Sequence, residues 1–267
     1  MNPMLHSVTF SHQRTQTATH FHDCHEIIFI TKGSAQLWVK GQMETAGQGD
    51  IVIFSRFEAH SVASRTDDYR RYVLQIAPDV PADPNLAKVF SILFNRPAQF
   101  QNVLHCTDRA QQILILCQQL LLEKESNYDF CENMQNLLMQ QLLILLYRQM
   151  PLVFADFSES AFDTVQQLQR TLERDYAQPF TLPQLAQQCG FSASYLSHLF
   201  KRITGSSIMG YLQSCRIAAA KKTLAETNME IGRIIEKCGF TDASNFSRTF
   251  RSLTGCTPTQ FRQQYRK

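Results

Sequence analysis

The stretch Thr181-Leu182-Pro183-Gln184-Leu185-Ala186-Gln187-Gln188-Cys189-Gly190-Phe191-Ser192 decides the reading of this chain, because it returns as Glu230-Ile231-Gly232-Arg233-Ile234-Ile235-Glu236-Lys237-Cys238-Gly239-Phe240-Thr241. After the first comes Tyr195-Leu196-Ser197-His198-Leu199-Phe200-Lys201. After the second comes Asn245-Phe246-Ser247-Arg248-Thr249-Phe250-Arg251, one residue later in its repeat. Both copies stop at Thr-Gly (Thr204-Gly205, Thr254-Gly255) and restart at Ser207 and at Thr257-Pro258.

Each copy opens with a short helix whose apolar residues recur at i, i+3 and i+4: Leu182, Leu185 and Ala186, then Ile231, Ile234 and Ile235. Gly190 and Gly239 suit the left-handed position after a helix end. Phe191 and Phe240 are placed to plug between helices, and Ser192 or Thr241 to cap the next one. That second helix buries Leu196, Leu199, Phe200 and Ile203, or Phe246, Phe250 and Leu253. Helix, glycine turn and helix make two helix-turn-helix motifs, over about 182–204 and 231–254.

The outward faces of the second helices carry Ser194, Tyr195, Ser197, His198, Lys201 and Arg202 in one copy. In the other they carry Ser244, Asn245, Ser247, Arg248 and Arg251. Such side chains bond base edges and phosphates, which points to double-stranded DNA as partner. A solvated polar face would look similar in one helix; two copies in a basic segment favour DNA. Between them lies an unbroken Ala-rich stretch, Tyr211–Leu224. A helix of some 16 residues there spans ~24 Å, enough to hold two recognition helices in successive major grooves about 34 Å apart.

Charge agrees. The chain has 267 residues, 44% hydrophobic and 18% charged, with net charge +3. Residues 1–163 hold 12 Lys and Arg against 17 Asp and Glu, whereas 164–267 hold 14 against 6. An acidic front and a basic back predict two domains, the second meeting a polyanion. No apolar run approaches the roughly 18 residues of a membrane span, and Met1–Phe10 lacks a signal-peptide pattern. A cytoplasmic protein is expected, without membrane partners. None of the eight cysteines forms a CxxC pair, so reduced thiols are expected rather than disulfides or zinc.

The doubled motif, the linker Tyr211-Leu212-x3-Arg216-Ile217-x2-Ala220 and the ending Gly255-x2-Pro258-x2-Phe261-Arg262 resemble the AraC/XylS family of transcriptional regulators. The resemblance covers about residues 164–267. It implies a DNA-binding domain with two helix-turn-helix motifs, usually behind an effector-sensing, dimerising domain, with the first recognition helix making more base contacts. It also implies RNA polymerase as a partner if the protein activates.

The front half reads as β over about 7–80. Runs at Glu26–Thr31, Ala35–Val39, Ile51–Phe54 and Tyr72–Ile76 are separated by glycine turns, and Pro78, Pro81 and Pro84 break the pattern. Two Leu- and Gln-rich helices follow at Asp108–Glu125 and Phe130–Met150. Their apolar residues exceed one core stripe, so this hairpin, about 108–150, is the expected homodimer interface. Pro151–Ser160 reads as linker, with the boundary at 156–163. The expected fold is therefore multidomain α and β: a cupin-like β-barrel with a helical hairpin over 1–155, then an all-α double helix-turn-helix domain over 164–267.

His20, His22 and Glu26, on a strand, would share one face by parity. With Gly33 they match the first cupin motif, His-x-His-x3-Glu-x6-Gly, and His60 would be a fourth ligand for iron, manganese or zinc. The second cupin motif is degraded: Ser55 and Phe57 replace Pro and Gly, and Ser64 replaces Asn. The favoured expectation is a metal-free pocket in which His20, His22 and Glu26, with His60, bond a polar effector such as a sugar, or simply each other, Trp38 being either a stacking partner or core. The competing readings are a divalent-metal sensor, a metal-dependent cupin enzyme with an accessory DNA-binding tail, and a thiol sensor through Cys24. No catalytic residue is assigned; a non-enzymatic, DNA-binding regulator is expected.

Overall fold

The structure is a computed structural model describing residues 4–39, 41–77, 87–97, 100–150 and 159–266. Pro78, Pro81, Pro84 and residues 151–158 of the expected linker lie outside them. The chain divides into two compact units: Met1–Ala18 with His22–Phe157, and Thr19–Phe21 with Ser158–Lys267.

The first unit contains two antiparallel sheets. One has β1 (Leu5–Ser11), β7 (Arg70–Ile76), β2 (His25–Lys32), β5 (Asp50–Phe54) and β8 (Val103–His105), in that order. The other runs β4 (Gln42–Gly47), β3 (Ser34–Val39), β6 (His60–Ser64). Alternation sets what points inward. In β3, Ala35, Leu37 and Val39 are buried, and Leu37 faces Val62 of β6 across the pair. With Ile28, Ile30, Val52 and Phe54 they fill the interior, each large side chain contributing roughly 1.5–3 kcal/mol by leaving water.

A strand over His20–Glu26 does not form: β2 begins at His25, and Asp23-Cys24 make a bend. Two bonds draw this stretch toward the loop after β5. Arg56 Nε donates to Asp23 Oδ1 at 2.6 Å, and the Phe57 N–H donates to the His22 carbonyl at 3.0 Å.

Around the sheets lie α1 (Ala87–Phe94), α2 (Ala110–Glu125), entered through a 3-10 turn at Thr107–Arg109, and α3 (Cys131–Gln149). α2 packs on β1 and β2 through Ile113, Leu116, Cys117 and Leu120, while α3 packs on α2 and β1. The surplus predicted for this hairpin is visible: Ile115, Leu122, Met134 and Leu137 are exposed.

The second unit is helical: α4 (Glu159–Arg174), α5 (Leu182–Gln188), α6 (Ala193–Thr204), α7 (Ile208–Glu226), α8 (Ile231–Lys237), α9 (Ala243–Thr254) and α10 (Pro258–Tyr265). Residues 159–163, assigned above to the linker, are the start of α4, whose Phe162, Val165, Leu168 and Leu172 are buried. Ser192 caps α6 by accepting the Tyr195 N–H. In the second copy Asp242, not Thr241, is the cap, accepting from the Ser244 and Asn245 N–H groups. The extra turn residue moves the cap by one place. Among the described residues no helix is long and apolar enough to cross a membrane.

Candidate nucleic-acid interface and effector site

On α6 the buried side is Leu196, Leu199, Phe200 and Ile203, which leaves Ser194, Tyr195, His198, Lys201 and Arg202 exposed and Ser197 half-buried. On α9, Phe246 and Phe250 are buried, with Ser244, Asn245, Ser247, Arg248 and Arg251 exposed. The structure thus brings the predicted side chains of each helix onto one open face. α7 is 19 residues long, about 28 Å, and joins the two motifs without a break.

One expectation for this unit is corrected. Phe240 is buried and packs edge-on against Phe246 at 5.2 Å, but Phe191 does not plug between helices. It is 37% exposed and lies against Tyr195, ring centroids 4.8 Å apart. The turn geometry explains the split. A Cβ on Gly239 would meet the Ala177 carbonyl at 2.5 Å, so that turn is pressed into the core, whereas Gly190 faces open space. Arg216 of α7 is engaged within the unit. Its Nε donates to the Tyr176 carbonyl at 2.8 Å and its Nη2 to the Gln178 carbonyl at 2.9 Å, while the guanidinium lies 5.6 Å from the Phe240 ring centre.

In the first unit, Glu26 is buried at the start of β2, His60 is buried at the start of β6, and His22 lies just ahead of the bend that precedes β2. His22 Nε2 lies 3.2 Å from Glu26 Oε2, and His60 Nε2 lies 3.6 Å from Glu26 Oε1. His60 stacks flat on Phe54 at 3.8 Å, with its Nδ1 2.8 Å from the Glu58 carbonyl. A carbonyl only accepts, so that contact places a proton on Nδ1, and Nε2 is the ring atom that faces Glu26. His20 falls in Thr19–Phe21, which groups with the second unit. The cluster of the first unit is therefore His22, Glu26 and His60.

Trp38 is neither core nor a stacking partner for this cluster. It is 49% exposed on the outer face of β3, opposite Met43 and Ser61, because Leu37 and Val39 take the inward positions. An open cleft of about 580 Å³ runs between the edge strands β4 and β8, lined by Glu44, Phe100 and His105 among others. None of the predicted residues lines it.

A model of the AraC-like ligand binding domain matches residues 5–143, and a helix-turn-helix domain model matches residues 185–264. The chain belongs to the AraC family of transcriptional regulators. HTH-type transcriptional activators RhaR are similar along nearly the whole chain. The one from Mannheimia succiniciproducens is 24% identical over 96% of this chain and 91% of its own length. The one from Klebsiella pneumoniae is 27% identical over 93% and 88%. The regulator YtdP of Bacillus subtilis is 37% identical, but over 36% of this chain and 12% of its own length. Among solved structures, ToxT from Vibrio cholerae superposes with a TM-score of 0.64 at 12% identity, covering 97% of both chains, a likeness of fold.

One buried polar side chain of the first unit that sequence reasoning missed is Tyr69. It is buried in the interior with Ile28, Ile30 and Phe54, and the Arg71 guanidinium lies 5.1 Å from its ring centre. Burial pushes its hydroxyl up to about 12; Arg71 opposes the shift and the Glu26 carboxylate adds to it. Its position after a polar turn, Thr66-Asp67-Asp68, offered no periodicity to reveal an inward face. A buried Glu58–Arg96 pair, 3.3 Å apart, was also missed. Nearby, burial first, then Arg96 and Arg56, hold His25 well below the usual histidine range. Burial pushes the Cys106 and Cys117 thiols up to about 12, the state of packed rather than reactive sulfur. Cys24 is buried as well.

Proposed function

We propose that this AraC-family regulator binds paired half-sites in promoter DNA through the exposed faces of α6 and α9, and that a small polar effector, of the sugar class, acts on its first unit. The observation that supports the DNA reading best is that two recognition helices joined by one rod each present a basic, hydrogen-bonding face. Ser194, Tyr195, Ser197, His198, Lys201 and Arg202 serve the first half-site; Ser244, Asn245, Ser247, Arg248 and Arg251 serve the second. Selection of duplexes from a random-sequence library by the full chain tests this. Bound sequences should converge, and affinity should fall with salt at a log–log slope of roughly −0.9 per phosphate contacted. Failure to enrich any sequence would overturn it.

The effector reading rests on His22, Glu26 and His60, with His20 beside them in sequence. Such polar groups suit a ligand rich in O–H groups. A thermal-shift screen with the full chain separates the classes, since a ligand that binds only the folded state raises the unfolding temperature. Sugars and polyols should stabilise it. Because ToxT has been solved with an unsaturated fatty acid bound, fatty acids belong in the same panel, and stabilisation by them alone would replace the sugar reading.

One observation favours a second reading. The His60 Nδ1 contact to a backbone carbonyl orients its Nε2 as metal-bound histidines are oriented, and Glu26 lies between the two imidazoles. This donor set fits a divalent cation, which would draw the Glu26 carboxylate and the His22 and His60 lone pairs together. Stoichiometric metal in the purified protein would support a metal sensor. Metal together with turnover would support a cupin enzyme, against the non-enzymatic role proposed here.

The hairpin α2–α3 is the proposed homodimer surface, because Ile115, Leu122, Met134 and Leu137 are exposed along it. Charged replacements such as Leu122→Glu with Leu137→Glu should give monomers by sedimentation. The proposed working place is the cytoplasm, and the proposed mode is activation, the activity that the name of the RhaR relatives carries; RNA polymerase is then the proposed partner.

A further inference from the structure

Phe191 and Tyr195 form an apolar pair where none is required. Their rings sit 4.8 Å apart, 37% and 49% exposed, at the entrance to α6. The motif does not force Phe191 outward, since its counterpart Phe240 is 5% exposed and packed on Phe246. Nor does the core hold it there, because Gly190 beside it faces open space. Tyr195 is the third residue of α6, its N–H bound to the cap Ser192, so the pair stands at the helix N-terminus. That is the end of a recognition helix that meets base edges, while Lys201 and Arg202 lie one to two turns further on, placed for phosphate.

The major-groove edge offers donors, acceptors and one apolar group, the C5 methyl of thymine. We infer that the Phe191–Tyr195 ring pair reads a thymine methyl in the half-site of the first motif. Phe191 supplies most of the apolar contact and holds the Tyr195 ring against it. The inference rests on the reading that α6 enters the major groove, and it adds the base type that the groove must present there.

The test uses the full chain and a duplex selected by it from a random-sequence library. Each thymine is replaced in turn by uracil, which lacks only the methyl group. Wild-type protein should lose roughly fourfold in affinity at one or two positions, the worth of one buried methyl. Phe191→Ala should bind the thymine duplex about as weakly as wild type binds the uracil duplex. It should then be indifferent to the replacement, and should melt at the wild-type temperature. A flat uracil scan, a scan that Phe191→Ala leaves unchanged, or a variant that no longer folds would each overturn the inference. The parent reading is scored separately. If Lys201→Ala and His198→Ala weaken binding while the uracil scan is flat, only the thymine contact fails. If neither weakens it, α6 is not at the groove.

Discussion

In the first helix-turn-helix the turn glycine faces open space and the following phenylalanine lies on the surface. In the second, Gly239 presses on Ala177 and Phe240 is buried against Phe246 and beneath Arg216. Both turns hold their glycine in the left-handed region, at φ 72° and 78°. The shared sequence therefore fixes the local path of the chain, and the neighbours decide what the turn is for. One turn is part of the core of the second unit, and the other is surface that remains available to a partner.

That contrast is open to attack in four places, beginning with the largest effect. Phe240→Ala should cost about 3–5 kcal/mol of unfolding free energy in urea, as for other buried aromatic truncations, and Phe191→Ala within about 0.5. Equal losses would erase the distinction. Gly239→Ala should cost about 2–3 kcal/mol, because left-handed strain adds to a clash with backbone. Gly190→Ala, with strain alone, should cost roughly 1. Next, His198→Ala and Arg248→Ala should each weaken binding of a selected duplex by roughly 1–3 kcal/mol and relax preference in different half-sites. If both relax the same half-site, the two motifs do not read separately. Smallest is the cap. Asp242→Ala should cost about 1 kcal/mol and Ser192→Ala about half that, since Asp242 accepts two N–H bonds and adds a negative charge at the helix start.

The helical half was legible because its signals are local. Apolar spacing, caps and left-handed glycines place α5, α6, α8 and α9 nearly to the residue. What could not be read was which neighbour each turn would meet, since Ala177 and Gly239 are far apart in the chain. The sensing unit was less legible for the same reason. β8 has three residues and carries no pattern of its own, and α1 is an eight-residue apolar run that reads equally as strand. Strand parity was the wrong route to the cluster, because a bend at Asp23-Cys24 brings His22 to Glu26. The contact itself was foreseen. Trp38 was misplaced by composition: large and aromatic, it suggested a pocket wall, but its neighbours Leu37 and Val39, of the opposite parity, own the interior. Tyr69 shows the reverse, an inward hydroxyl with no pattern to announce it.

Arg216 has one more consequence. It pins the first half of α7 to the carbonyls of Tyr176 and Gln178, so the connecting helix is anchored where it would otherwise pivot. The two reading heads then behave as the jaws of a fixed gauge. Each base pair added between half-sites turns the second one roughly 34° about the duplex axis. A fixed gauge cannot follow that rotation, so the interval between the two sequences becomes part of what the protein recognises.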